Sequence, residues 1–410
     1  MADFIETIII GGGQAGLAVS YFLNQNNSEH IILEQAPQVG DAWRNHKWDS
    51  FALVTPNWMI KMPGAEYQGS NPDGFFSRSE IVKYFEQYIE HYKLPVHFNV
   101  QVTSVELKNG VYLVKTNKGN YNAANVVIAT GSFQQPRILP FASQLSQDIL
   151  QFHSSEYFNP EMLPPGGVLI IGSAESGCQI AEELYQDGRK VFLSIGSTGR
   201  LPRRYRDKDV MWWLNEAGFF DRTVEMLRSP QEKFIGYPQL SGKDGGHTLN
   251  LYQFLRDGVV LLGHLRDIQG NKIFLVNDVK ESLHKVDKYE RNTLKYIDET
   301  IKRKGINAPK EDIPKQHDGH LIELITELDL KAAGITNLIW ATGYKFDYRL
   351  VKLSVFDEDG YPIQDRGVSS FPGLYFIGLS WLHKNKSALL FGIGEDAEFI
   401  ARNIMERKLK

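Results

Sequence analysis

IETIIIGGGQAGLAVSYFLNQNNSEHIILE, residues 5–34, is the stretch that decides the fold of this chain. Its β-branched opening, residues 5–10, is apolar on both faces, as in a buried strand of a parallel sheet. Glycines follow, then a helical pattern over residues 17–23 and a second short strand pattern over residues 30–35. Strand, glycine turn, helix and strand within about 30 residues predict a βαβ unit.

The glycine turn of this unit reads GGGQAG at residues 11–16 and predicts a site for a dinucleotide. Gly11 permits the tight turn, Gly13 lets a pyrophosphate approach the backbone, and Gly16 lets the helix pack on the strand. The helix N-terminus then offers free N–H groups to the phosphates. Glu34 ends the next strand, where a carboxylate can accept a hydrogen bond from a ribose hydroxyl.

A second unit of the same order follows about 160 residues later, with the turn GSAESG at residues 172–177. Its middle position is Ala174, which is tolerated if the backbone keeps a negative φ. The next strand ends without an acid, and Arg200, Arg203 and Arg204 follow within ten residues. Because guanidinium groups bind phosphate bidentately, this favours a 2′-phosphate, hence NADPH, with NADH as the alternative.

Length and composition exclude several classes of protein. A chain of 410 residues predicts two domains. A net charge of −4 gives no basis for binding nucleic acid, and the single cysteine, Cys178, leaves no disulfide and no redox-active cysteine pair. The apolar runs fall far short of the ~20 residues of a transmembrane span, and a basic n-region is missing, so a cytoplasmic location is expected. Residues 317–320, HDGH, fit no metal motif, and no metal is predicted.

The rest of the sequence indicates where the domain boundaries lie. A proline-rich loop follows the ATG sequence at residues 129–131, and a second ATG at residues 341–343 precedes a return to βα character. Residues 205–330 are less regular, although residues 279–305 show helical spacing and predict an amphipathic helix. Trp212 either lines a substrate pocket or packs an interface.

Eight segments together carry a resemblance to a known family. In chain order from Ile8 to Ala397, they read IIIGGGQAGLA, VGDAWRNHKWDSFALVTP, VVIATGS, FHSSEYFNP, LIIGSAESGCQIAEEL, RLPRRYRDKDVMWWL, WATGY and GLYFIGLSWLHKNKSALLFGIGEDA. The chain resembles the flavin-containing monooxygenases, above all the bacterial single-chain flavoproteins, and is more distantly similar to the plant indole-3-pyruvate monooxygenases. The resemblance implies an α/β fold of two Rossmann-like dinucleotide-binding domains, in which an NAD(P) domain is inserted into an FAD domain. The expected parts are residues 1–160, 161–340 with a helical insertion at 205–330, and 341–410.

The family's site residues transfer to matching positions here. The residues implied to hold FAD are Gly11, Gly13, Gln14, Ala15, Gly16, Glu34, Gln35, Trp43, Arg44, Val102, Thr130, Gly131, Thr342, Gly343, Gly378, Ala388 and Leu389. Those implied to hold NADPH are Gly172, Ser173, Ala174, Glu175, Ser176, Gly177, Arg200, Arg203 and Arg204. The candidates for catalysis are Thr55, Asn57 and His383. A helix beginning at Ala388–Leu389 is expected to face the flavin ring.

The implied activity is a class B monooxygenase reaction on a small molecule. NADPH reduces FAD, the reduced flavin reacts with O₂ to a C4a-hydroperoxide, and one oxygen passes to a nitrogen or sulfur nucleophile. The family fingerprint around residue 153 survives only as His153 and Tyr157, without the following proline of the Baeyer–Villiger version. Alternatives are Baeyer–Villiger oxygenation, an NAD(P)H-dependent flavin oxidoreductase or oxidase without a stable hydroperoxide, and a nucleotide-sensing protein without turnover. The sequence leaves the oligomeric state open, with a homodimer as one alternative.

Overall fold

A computed structural model describes residues 3–316 and 322–408 as a mixed α/β fold built on two mainly parallel sheets. The helices, α1 to α8, are Gln14–Gln25, Asp41–Arg44, Arg78–Tyr92, Glu175–Gln186, Val210–Glu216, Leu251–Arg256, Val279–Lys304 and Ile393–Lys408. The strands, β1 to β25, are Asp3–Ile10, His30–Leu33, Lys61–Met62, Ala65–Glu66, Val96–His97, Val102–Lys108, Val111–Thr116, Gly119–Ile128, Gln135–Pro136, Leu150–His153, Gly167–Ile171, Val191–Ser194, Arg204–Tyr205, Lys208–Asp209, Leu240–Ser241, His247–Thr248, Val260–Leu262, Leu265–Gln269, Lys272–Leu275, Glu327–Asp329, Ile335–Trp340, Tyr344–Lys345, Gln364–Asp365, Val368–Ser369 and Leu374–Phe376.

The first sheet carries the first glycine turn at the carboxyl ends of its strands. Its parallel part has the order β25-β8-β1-β2-β5; β7 pairs antiparallel with β8, and β6 pairs antiparallel with β7. Ile10 pairs with Leu33 on one side and with Ile128 on the other. All of the last four residues of β1 are buried, as predicted for a strand covered on both faces.

The second sheet repeats this arrangement around the second glycine turn. Its five strands, β10-β21-β11-β12-β17, are all parallel. Ile171 pairs with Ser194 and with Trp340, so the 172–177 turn leaves the central strand between two neighbours. Open parallel sheets bind ligands beyond the carboxyl ends of their strands, and both turns lie there.

The chain visits the two sheets in an interrupted order. Residues 3–128 and 364–376 supply the first sheet, and residues 150–340 supply the second. Between them, β9 pairs with β22, which joins the outgoing and returning connections. Because β25 pairs with β8, which is the neighbour of β1, the C-terminal part of the chain returns to the first sheet.

The segment 205–330 is not only a helical insertion, which corrects the expectation from sequence. It includes α5, α6 and α7, but β17 belongs to the second parallel sheet, and β18, β19 and β20 form a small antiparallel sheet. These strands are only three to five residues long, too short for alternation to stand out from noise.

Helix α7 confirms the predicted amphipathic helix. Leu283, Val286, Leu294 and Ile297 are buried along one face, and the C-terminal Gly305 has φ 64°. The basic last turn suits the negative end of the helix dipole. In the described part of the chain, none of the helices is both long and apolar enough to cross a membrane.

Candidate active site

The first glycine turn assigns a different physical role to each glycine. Gly11 has φ 110°, and a Cβ there would lie 2.5 Å from the carbonyl oxygen of Ala129. A Cβ at Gly16 would collide with the carbonyl of Gly11. Gly13 has φ −81°, which any residue adopts, and a Cβ there would meet no atom within 4 Å. Folding therefore requires Gly11 and Gly16, whereas the space at Gly13 fits a ligand phosphate at the N-terminus of α1.

The carboxylate of Glu34 is held beside this turn. It accepts hydrogen bonds from the backbone N–H of Gly12 at 2.6 Å and of Ala36 at 2.8 Å. Each oxygen keeps a lone pair for a further donor, as ribose binding requires. Gln35, the next residue, is exposed.

Two segments from the C-terminal part of the chain contact the first glycine turn. Gly378 has φ 82°, and a Cβ there would lie 2.8 Å from that of Ala15. The side-chain amide of Gln14 donates to the carbonyl of Ala388 at 2.5 Å. These contacts bring the predicted residues Gln14, Ala15, Gly378 and Ala388 together.

The helix expected at Ala388–Leu389 begins later. Residues 385–388 form a 3₁₀ turn, Leu389 is extended with ψ 150°, and α8 starts at Ile393. The physical reason is that Ser387 accepts hydrogen bonds from the N–H groups of His383 and Lys384, which closes a tight local turn. The helix dipole of α8 therefore does not start beside Ala388.

The two ATG turns lie in the connections between the sheets. Gly131 and Gly343 have φ 70° and 76°. The side-chain amide of Gln134 donates to the Thr130 hydroxyl and to the Gly131 carbonyl, both at 2.8 Å. His153, fully buried, hydrogen-bonds through Nε2 to the Gly343 carbonyl at 2.9 Å, and burial lowers the pKa of this imidazole. His153, from the altered fingerprint, is thus hydrogen-bonded to the second ATG turn.

Thr342, in the second of these turns, donates its hydroxyl proton to the Arg137 carbonyl. Three further residues implied at the FAD site lie around the first sheet. Trp43 is half-buried against Phe51 with ring centroids 5.7 Å apart, and Arg44 donates to the Val39 carbonyl at 2.8 Å. Val102 begins β6. No contact of the described residues joins Val102 to the glycine turn, and its role stays a prediction.

The second glycine turn repeats the backbone conformation of the first turn but carries different side chains. Gly172 has φ 108° and approaches the Ala341 carbonyl, and a Cβ at Gly177 would collide with Gly172. Ala174 occupies the place of Gly13 with φ −74°, the negative φ that tolerates alanine. A Cβ added at Gly236 would lie 3.8 Å from that of Ala174, so the 234–239 loop passes over this turn.

Ser173 fixes the second turn to its surroundings. Its hydroxyl accepts from the Gly196 N–H at 3.0 Å, and its carbonyl accepts from the Gln239 side chain at 2.6 Å. Ser176, also implied at this site, is half-buried in the first turn of α4.

Two opposite charges face the second turn. Burial raises the pKa of Glu175, the first residue of α4, to about 7, against the opposing charges of Lys47 and Arg203. Burial lowers the pKa of Lys47, whose ammonium lies 5.2 to 5.7 Å from the ring centroids of Trp48, Phe51 and Phe133. Sequence reasoning missed Lys47, although the aromatic residues flanking it in HKWDSF were a visible signal.

Arg200 and Arg203 are paired with carboxylates, and their role at a 2′-phosphate stays a prediction. Arg200 is buried and binds Glu290 through two nitrogens at 3.0 and 2.6 Å. Arg203 is buried and binds Asp209 at 2.8 and 2.6 Å. The partner carboxylates lie 90 and 6 residues away in sequence, while Nη1 of Arg203 donates to the Val54 carbonyl and Nη1 of Arg200 has no acceptor among the described residues. Arg204 is exposed, and its predicted role stays untested.

Replacing Arg203 with alanine is therefore expected to destabilise the protein. The change leaves the Asp209 carboxylate buried without its partner, at a cost of about 3–5 kcal/mol. Urea unfolding should show this loss, while the exposed neighbour Arg204→Ala should stay within about 0.5 kcal/mol of the wild type. A normal unfolding midpoint combined with a selective rise in KM for NADPH over NADH would support the phosphate role.

The candidates for catalysis lie in two places. Asn57 is buried, and its side-chain amide donates to the Asn71 carbonyl at 3.0 Å, while Thr55 is half-buried two residues before it. His383 is half-buried, with Nδ1 3.8 Å from the buried carboxylate of Asp396. No contact of the described residues joins His383 to Thr55 or Asn57, so their shared role remains a prediction.

Metal binding finds no support in the described residues. Residues 3–316 and 322–408 contain no group of three or more His, Cys, Asp or Glu side chains arranged to hold an ion. Residues 317–320, weighed above as a metal candidate, lie outside the described residues. Cys178 is buried, and burial raises the pKa of its thiol.

Two glycine turns at the carboxyl ends of two parallel sheets, with an acid beside the first, define the class of two-nucleotide flavoprotein oxidoreductases. A family model described as pyridine nucleotide-disulphide oxidoreductase matches residues 8–216. The chain belongs to this family. It is accordingly an oxidoreductase of the pyridine nucleotide type.

Individual relatives agree with this assignment. The chain is 34% identical over 407 residues to an uncharacterized oxidoreductase, CzcO-like, of Geobacillus kaustophilus, covering 99% of each. It is 28% identical to the probable indole-3-pyruvate monooxygenase YUCCA1 of Arabidopsis thaliana, over 62% of this chain and 67% of that one. These similarities confirm the resemblance to the flavin monooxygenases.

Solved structures share the fold. A flavin-containing monooxygenase from Stenotrophomonas maltophilia superposes with a TM-score of 0.66 at 19% identity, covering 98% of this chain and 99% of that chain. The bacillithiol disulfide reductase Bdr (YpdA) of Staphylococcus aureus superposes with a TM-score of 0.61 at 16% identity, covering 99% of both.

Proposed function

We propose that the protein is a monooxygenase that transfers one oxygen of O₂ to the nitrogen or sulfur of a small molecule. In this proposal residues 1–160 and 341–410 hold FAD, and residues 161–340 hold NADPH, with NADH as the alternative. FAD, when bound, would supply the redox chemistry that links NADPH to O₂. The expected location remains the cytoplasm.

The observation that carries the proposal is the open space at Gly13. Neither backbone conformation nor packing requires glycine at this position, because its φ is ordinary and a Cβ there would touch nothing. A diphosphate bound at the N-terminus of α1 would explain why glycine occupies this position. The Glu34 carboxylate beside it can accept a hydrogen bond from the ribose. The contacts of Gln14 and Gly378 then direct the rest of the cofactor toward the 383–389 segment.

The chain's own residues support oxygen transfer by positioning charged groups. The 234–239 loop passes over the second turn, and the rings of Trp48, Phe51 and Phe133 lie around the Lys47 ammonium near Glu175. Charged groups that are held in place before the reaction can stabilise charge that develops at a reacting centre. Thr55, Asn57 and His383 keep their proposed places near the reacting flavin.

Rapid mixing of NADPH-reduced protein with O₂ tests the activity. We expect a transient flavin species with its own absorbance before the oxidised spectrum returns, and steady NADPH oxidation above a free-flavin control. Return to the oxidised spectrum in one phase would mean an oxidoreductase or oxidase instead. NADPH oxidation no faster than the free-flavin control would mean a nucleotide-sensing protein.

A further inference from the structure

A cavity of about 440 Å³ lies between the segment 58–73 and the hairpin of β13 and β14. None of its lining residues belongs to either glycine turn. The side chains that matter below are Trp58, Lys61, Asp73, Arg204, Lys208 and Trp212. They come from segments that are far apart in sequence, so the cavity exists only in the folded chain.

Two indole rings form the apolar part of this cavity. Trp58 and Trp212 are both half-buried and pack against one apolar cluster, which Leu389 and Phe391 also join. Trp213, by contrast, is fully buried in that cluster. Half-buried indole faces favour a planar aromatic ligand, because ring pairs gain about 0.5–1.5 kcal/mol beyond burial. Leu389, implied at the flavin site, packs against the same apolar cluster.

The charged part of the cavity has more cations than free anions. Lys61, Arg204 and Lys208 form no ion pair with any described residue, and the two lysines lie 6.0 and 5.5 Å from the ring centroids of Trp58 and Trp212. Asp209 is already bound to Arg203, which leaves Asp73 and Asp207. Three cations against two carboxylates favour an anion, and a free guanidinium suits a carboxylate.

The hairpin holds Arg204 against the cavity at some conformational cost. Its turn residues Arg206 and Asp207 have φ 47° and 64°, in the left-handed region where non-glycine residues are strained. Arg206 is fixed by an ion pair with Asp298 of α7 at 2.9 Å. Arg204, in β13, is exposed, whereas the preceding Arg203 is buried.

We propose that this cavity binds a planar aromatic carboxylate, with the ring between Trp58 and Trp212 and the carboxylate on Arg204. The inference rests on the proposed function in one respect, that such a compound is the substrate class. For an aromatic thioether acid the reaction balances: the sulfide gains one oxygen of O₂, NADPH and a proton supply two electrons and two hydrogens, and the second oxygen leaves as water.

The test uses (2-naphthylthio)acetate and its uncharged primary amide on the flavin-loaded protein. Calorimetry without NADPH should show the acid binding at least tenfold more tightly than the amide. Arg204→Gln should remove this preference, and Trp212→Ala should weaken both compounds about tenfold. Lys118→Gln, an exposed change in the turn between β7 and β8, should behave as the wild type.

The outcomes separate the site from the activity. Equal binding of acid and amide, or equal losses in Arg204→Gln and Lys118→Gln, would overturn the cavity assignment. So would an Arg204→Gln protein that binds the acid normally but loses NADP⁺ affinity, since Arg204 would then serve the 2′-phosphate. Tight acid binding supports the site, and sulfoxide formation with NADPH and O₂ supports the substrate class. Binding without sulfoxide would overturn only the role as substrate.

Discussion

Gly13→Val is expected to yield a folded protein that purifies without flavin. The valine side chain would fill the space in front of α1, where the phosphates of FAD are proposed to lie, and a Cβ there touches no protein atom. The ordinary φ of −81° means that the backbone is not strained by the change. Visible absorbance should fall at least tenfold relative to protein concentration, with circular dichroism unchanged.

The second turn provides a matched control for this experiment. Ala174→Val places the same side chain at the equivalent position, with φ −74°. That variant should remain yellow and lose affinity for NADP⁺ instead. A yellow Gly13→Val protein, or flavin loss in both variants, would contradict the assignment of FAD to the first turn.

Glu175→Gln is expected to tighten binding of the nicotinamide dinucleotide about tenfold at pH 8. The carboxylate stands at the first position of α4, where the diphosphate is proposed to bind, and like charges there repel. Its pKa is raised to about 7 by burial, against the charges of Lys47 and Arg203, and Tyr237 also faces it. A displacement of one pKa unit corresponds to a factor of ten in affinity.

The sign of the pH dependence follows from this repulsion. Bound diphosphate disfavours the charged carboxylate, so binding raises the pKa of Glu175 and takes up a proton. Affinity in the wild type should therefore be highest below pH 7 and fall as the pH rises through 7. In Glu175→Gln this decline should disappear, and the two proteins should bind about equally at pH 6.

Titration calorimetry with NAD⁺ at pH 6, 7 and 8 measures the effect. NAD⁺ is preferred to NADP⁺ because it lacks the 2′-phosphate, whose own ionisation falls in this range. A parallel decline in both proteins would mean that another group titrates. Flavin content, read from absorbance, should not change and serves as the internal control.

Much of the nucleotide framework could be predicted from sequence because its determinants are local. Gly11 and Gly172 are required by their positive φ, and Gly16 by a collision with the Gly11 carbonyl five residues earlier; such local constraints leave a motif in the sequence. The long helix α7 was readable for the same reason, since its buried residues repeat at helical spacing.

The tertiary structure alone decided where the charged side chains went. Arg200 is paired with Glu290 on α7, 90 residues away. The rings around Lys47 and the cavity beside Arg204 assemble from distant segments. Backbone conformation is set by neighbours along the chain and is written in the sequence, whereas ion pairs and cavities depend on which distant groups packing brings together.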